Sequence, residues 1–230
     1  MHDGGRRAGG AREARGFLSA ARRAGGPDVP SGAAVRPVRR VGVLVACLVL
    51  GGASSALAGP PTEQLKVGID RVIQVLADPK LKSAAKTAER RATLAEITNP
   101  IFDWPEMARR ALGRHWQDRT DAEREEFVRL FHDLLERSYI ATLERYNGER
   151  VTYVGESVEG EQATVRTKVL DKNNRELPVD YRMLRRGDRW LIYDVQIEGV
   201  SLVANYRAQF DQIIRTSSYA RLVAKLKSPS

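Results

Sequence analysis

At Asn147-Gly148 the spacing of apolar residues drops from three or four to two, a change that excludes both an all-helical and an all-strand chain. Ahead of it, Leu65, Ile69, Val72, Ile73 and Leu76 recur at helical spacing behind Thr62, a candidate cap, and the run stops at Asp78-Pro79. Leu81, Ala85, Ala88, Ala92 and Ala95 predict a second helix with a small-residue face suited to close packing, interrupted at Asn99-Pro100. Asp103 and Pro105 open a short helix that Gly113 stops. Thr120 caps a long helix with acids in its first turns, and its apolar residues from Phe127 to Tyr146 form a stripe wider than one neighbour needs. Beyond the change, Val151 to Tyr153, Ala163 to Val169 and Leu177 to Met183 alternate apolar with polar. Trp190 to Ile197 is apolar on both faces, which predicts a central or doubly covered strand. Ser201 caps a helix bearing Leu202, Tyr206, Phe210 and Ile213, and Ser217 or Ser218 opens a last short one. The order predicts an α+β fold: a helical N-terminal half, a curved antiparallel sheet of about four strands, and C-terminal helices.

The formal net charge is +9 on 230 residues, from 38 Lys and Arg against 29 Asp and Glu. Spread evenly, it would point to nucleic acid or an anionic surface. Residues 1–58, however, hold nine arginines and three acids, which leaves 29 basic and 26 acidic residues, a net of +3, for 59–230. No nucleic-acid partner is expected from that balance.

Residues 1–34 are rich in Gly, Ala and Arg, show neither period, and are expected to be disordered. Arg36, Arg39 and Arg40 then form a basic region, Val41 to Leu50 an apolar one, and Ala56-Leu57-Ala58 a small-x-small site, the pattern of a secretory signal peptide cut after Ala58. The apolar run falls well short of the roughly 20 residues that span a bilayer. The stretch ahead of the basic region is long for such a signal, which fits a start codon assigned upstream of the true one. Leu44-Val45-Ala46-Cys47 matches a lipoprotein cleavage box, but little apolar sequence precedes it and an oily segment follows. With the cut after Ala58, residues 59–230 form a single domain without cysteine, so thiol chemistry and disulfides are excluded from it.

The remaining histidines, His115 and His132, form no H-x-x-x-H pair, so no zinc or iron site is expected. Gly155 to Gly160 misses the G-x-S-x-G spacing by one residue, and no phosphate-binding glycine loop follows a strand. Asp194, inside an apolar strand, is either a buried acid with a raised pKa or, more commonly for such a residue, a hydrogen-bonded structural one. Arg185, Arg186 and Arg189 flank a turn as a solvated rim or as a contact for a headgroup or partner. What is left is surplus apolar surface on the long helix, the Trp190 strand and the Tyr206 helix. A filled core absorbs it, and so does a core split by an apolar cavity; spacing alone leaves both open.

Several motifs recur in order across residues 62 to 227: Phe102-Asp103, Met107-Ala108, Ala111-Leu112-Gly113 and Trp116; Thr120, Arg124-Glu125 and Phe127; Pro178-Val179-Asp180-Tyr181-Arg182; and Trp190, Tyr193-Asp194-Val195 and Glu198-Gly199-Val200-Ser201-Leu202. Together they resemble the toluene-tolerance family of periplasmic phospholipid carriers. The resemblance implies an apolar cleft between sheet and helices that holds acyl chains, with no cofactor and no catalytic group. The implied partners are a phospholipid or hopanoid-related lipid, an inner-membrane ABC transporter complex with a substrate-binding ring, and an outer-membrane lipoprotein–porin complex. The positions expected to line the cleft are Trp104, Met107 and Leu112 in the short helix; Phe127, Phe131, Leu135 and Tyr139 in the long one; Val165, Val169, Val179, Tyr181 and Tyr193 in the strands; and Val200, Leu202, Tyr206 and Phe210 beyond them. Two other readings remain. One is an envelope hydrolase or isomerase using Asp194 with His115 or His132. The other is a ligand-free assembly module that docks a partner through the long helix.

Overall fold

Pro60 and Pro61 lack the N–H groups that a first helical turn leaves unpaired, and they open helix α1, Pro60–Ala77. The computed structural model describes residues 59–228; the leader, the signal peptide and the lipoprotein box lie outside these residues. Helices α2 (Thr87–Thr98), α3 (Trp104–Leu112) and α4 (Asp121–Leu143) follow. Strands β1 (Arg150–Glu159), β2 (Gln162–Leu170), β3 (Glu176–Arg186), β4 (Arg189–Ile197) and β5 (Val200–Ser201) pair in sequence order as one antiparallel meander. Helices α5 (Leu202–Thr216) and α6 (Tyr219–Lys227) close the chain. Among the described residues no helix is long and apolar enough to cross a membrane.

The sheet therefore has five strands, not the expected four. β5 is two residues long and pairs with β4 through Ile197↔Val200 and Gln196↔Ser201, too short to show a period. Its turn puts Glu198 at φ 51° and Gly199 at φ 79°, a geometry that glycine adopts freely and glutamate rarely. β4 is apolar on both sides because of a bulge. Met183 pairs with Ile192 and Arg182 with Asp194, so Tyr193 is an extra residue and three consecutive side chains are buried. Its edge beyond the reach of β5 is met by Phe102, which bridges Ile192, and by the Asp103 N–H, which donates to the Ile192 carbonyl at 2.8 Å.

Most caps follow the sequence. Asp103 accepts from the Glu106 N–H, Ser201 from that of Ala204 and Ser218 from that of Arg221, while Thr120 and Glu123 form a reciprocal capping box. Thr62 caps nothing: buried in the first turn of α1, it donates its hydroxyl to Glu156 of β1 at 2.6 Å. The alanine helix is shorter than expected. Two 3-10 turns, Pro79–Leu81 and Ala84–Lys86, precede α2, and Ala85, Ala88 and Ala92 face solvent while Leu94 is buried.

Two apolar clusters result. Leu65 of α1 covers Ala163, Val165, Met183, Trp190 and Ile192 of the sheet. Gly68 permits the fit, because a Cβ there would lie 3.1 Å from the Ile101 side chain. The second cluster joins α3 to α6 around Met107, Leu112, Phe127, Phe131, Tyr206 and Phe210, and reaches Tyr193 of β4. Phe102 packs against both.

Candidate functional site: a partly covered apolar sheet face

Register places Val151 opposite Val169, Tyr153 opposite Thr167, Val165 opposite Tyr181, Val169 opposite Leu177, Val179 opposite Ile197, and Tyr181 opposite Val195. Directly paired residues point to one side of a sheet, so these share a face with Ala163, Met183 and Ile192. Along that face burial is uneven and loosest at the far end. Ala163, Val165, Thr167, Met183 and Ile192 are 3% exposed or less and Val179 is 7%; Val169, Tyr181, Val195 and Ile197 between and beyond them are half-buried; Leu177, and Val200 opposite Ile197, reach 37%. α1 explains the closed end, since Leu65 and Ile69 lie over it.

The polar atoms at this face are neutral. The Tyr153 hydroxyl is buried without a hydrogen-bond partner, and burial pushes its phenol pKa up. Burial likewise raises Tyr181, to about 12. Tyr139 of α4 is raised by burial and by the charge and hydrogen bond of Tyr206 on α5, whose own phenol burial also raises. None of the four ionises at physiological pH, so Tyr153 and Tyr181 present neutral hydroxyls along the sheet face, while Tyr139 and Tyr206 belong to the helical cluster.

The sixteen expected lining positions divide between two environments. Met107, Leu112, Phe127, Phe131, Leu135, Tyr193, Tyr206 and Phe210 belong to the packed helical cluster, with Trp104, Tyr139 and Leu202 against it. Its rings interlock: Phe127 and Phe131 stack at 6.0 Å, and Phe131 meets Tyr206 edge-on at 5.4 Å. Val165, Val169, Val179, Tyr181 and Val200 lie instead along the sheet face, from closed end to open end. Sequence reasoning passed over Tyr153, Leu177, Val195 and Ile197 on that face. Their alternation was visible; what was missing was the register that aligns β1 and the ends of β3 and β4 with Tyr181. Openings among the described residues include a groove of about 360 Å³ between α5 and α6, and a recess of about 70 Å³ between Gln64, Leu65 and β4. None of the sixteen positions lines either.

The polar candidates are spoken for by other partners. Asp194 accepts from the Ser201 hydroxyl at 2.6 Å and the Val203 N–H at 3.0 Å. His115 meets Asp211 at 2.8 Å, and hydrogen bonding to His115, followed by Arg114, holds the Asp211 pKa below its ordinary value. His132 meets Asn99 at 2.8 Å and Trp104 edge-on. Neither histidine is joined to Asp194. Arg186 of the expected rim contacts Asp103 at 2.8 Å, Arg189 donates to the Pro100 carbonyl, and Arg185 to that of Gly187.

A meander of five strands, closed by a helix at one end of its apolar face and flanked by a packed helical cluster, defines an α+β protein with an apolar sheet face that is covered only in part. The chain belongs to the MlaC family, whose profile, described as MlaC protein, matches residues 66–228. It is similar to the intermembrane phospholipid transport system binding protein MlaC of Haemophilus influenzae, 22% identical over 123 residues, or 51% of this chain; the match spans 58% of that relative's length. Its fold matches a phospholipid-binding protein from Ralstonia solanacearum solved in complex with a phospholipid, with a TM-score of 0.65 and 24% identity, covering 72% of this chain and 94% of the other.

Proposed function

We propose that this chain is a periplasmic carrier, exported by its signal peptide, that binds phospholipid acyl chains and passes them between an outer-membrane lipoprotein–porin complex and an inner-membrane ABC transporter complex with a substrate-binding ring. The supporting observation is the apolar sheet face, which is covered only in part and carries half-buried and exposed apolar side chains at its far end. Surface of this kind is costly in water: each exposed methylene loses roughly 0.8 kcal/mol, so a free diacyl lipid loses on the order of 20 kcal/mol, and lipid and protein face cover one another. Val169, Tyr181, Val195, Ile197, Leu177 and Val200 would contact the chains, with Tyr153 offering its hydroxyl to the ester region. The ring cluster around Phe127 and Phe131 would act as the rigid wall. Moving a lipid between hydrocarbon environments changes no covalent bond, so no catalytic residue is needed, and direction comes from partners that bias loading and release.

Organic extraction of the purified protein followed by mass spectrometry tests this. Phospholipid should be released from the wild type. Val169→Arg and Ile197→Arg, each placing a charge on the half-buried face, should remove most of it while far-ultraviolet circular dichroism stays native. Wild-type protein that releases no more lipid than an unrelated periplasmic protein would overturn the reading.

A further inference from the structure

The two C-terminal helices carry a charge unlike that of the rest of the described chain. Residues 202–230 hold five cations, Arg207, Arg215, Arg221, Lys225 and Lys227, and one acid, Asp211, for a net of +4. Residues 121–149, which include α4, hold four arginines and eight acids, for a net of −4. Some of the cations are engaged: Arg215 lies 3.7 Å from Asp211, and Lys227 pairs with Glu126 at 2.7 Å. Among the described residues Arg221 and Lys225 have no acidic partner. They stand one turn apart on the same side of α6 and both line the groove of about 360 Å³ between α5 and α6. No acid lines that groove; the hydroxyls of Thr216 and Ser217 do.

Two unpaired cations beside hydroxyls select an anion with several oxygens, and a phosphate group is the common biological one. We propose that this groove docks the protein on a bilayer by holding the phosphate-bearing headgroups of anionic phospholipids. An acidic protein partner fits the groove less well. Its residues are almost all exposed, and it has no enclosed apolar pocket of the kind that anchors a protein interface. The helix itself cannot insert, because its apolar residues Leu222 and Leu226 are buried in the helical cluster. Docking is therefore electrostatic, reversible and weakened by salt. This surface is separate from the acyl-chain face and assigns no cargo.

The test is flotation of the full chain with vesicles of phosphatidylglycerol mixed into phosphatidylcholine. The basic leader is common to every variant, so the comparison is between variants. At about 1 kcal/mol for each basic side chain near the surface, Arg221→Gln with Lys225→Gln should weaken binding about thirty-fold. Lys66→Gln with Lys172→Gln removes the same charge from exposed positions on α1 and in the β2–β3 turn and should leave binding nearly unchanged. Equal weakening by the two pairs, or none by the first, overturns the proposal. So does a rise in melting temperature with inorganic phosphate that the first pair abolishes while vesicle binding persists, since that assigns the groove to a free anion. Lipid released on extraction should match the wild type in both pairs, which separates a failure here from a failure of the carrier reading.

Discussion

Asp194 is 2% exposed in β4 and caps the entry of the chain into α5. One oxygen accepts from the Ser201 hydroxyl, the other from the Val203 N–H, and Arg182 stands 3.8 Å from the first. Asp194→Ala strands two donors and should cost on the order of 3 kcal/mol in urea unfolding; a loss below about 1 kcal/mol would refute the structural role. Glu106 makes a related prediction through pH. Burial raises its pKa, but hydrogen bonds and charge from Arg109 and Arg110, at 2.6 to 2.8 Å, outweigh burial and leave the folded value below 4.5. A carboxylate with a depressed folded pKa stabilises fully above its unfolded value and loses that contribution as pH falls through the folded one. Stability should therefore decline below about pH 4.5, and Glu106→Gln should be less stable at neutral pH with a shallower acid decline. Unfolding curves at several pH values that run parallel for the two proteins would contradict this.

At the scale of elements, α4 depends on its first turn. Thr120 accepts from the Glu123 N–H at 3.3 Å, and Glu123 accepts from the Thr120 N–H at 2.8 Å. Thr120→Ala should cost about 1 kcal/mol, read as a lowered denaturation midpoint with an unchanged slope. Caps such as this one, Asp103 and Ser201 were legible because donor and acceptor lie within three residues. Thr62 was not, since Pro60 and Pro61 start α1 earlier and its hydroxyl finds Glu156, 94 residues away. β5 was invisible for a similar reason: two residues carry no period, and their pairing follows from the Glu198-Gly199 turn. The site was legible only as a set of apolar faces. Periodicity places Phe131 and Tyr181 equally on such faces, yet rings from α4 and α5 surround Phe131 while Tyr181 sits midway along a face that opens toward solvent. Whether a face is covered is decided by which distant element lands on it, and no local spacing encodes that.

For the whole molecule the two apolar clusters have different thermodynamic roles. The ring cluster is complete without a ligand, so Phe127→Ala should lower stability by about 3–5 kcal/mol whether or not lipid is bound. On the proposed function the sheet face is completed by bound lipid, which would couple lipid occupancy to folding. A ligand bound to the native state alone at a hundred times its dissociation constant adds about 2.7 kcal/mol. For a domain of this size that corresponds to a melting-temperature increase of roughly 5–11 °C. Protein stripped of lipid by unfolding and refolding should therefore melt lower than protein as purified, and should regain the difference when phospholipid is returned. In Val169→Arg, which places a charge on the half-buried face, stripped and unstripped protein should melt together. In Phe127→Ala, both should melt lower while the gap between them persists. A wild-type gap near zero would mean that the face is already satisfied by the protein itself, and the long apolar stretch from Ala163 to Val200 would then have no thermodynamic need of a lipid.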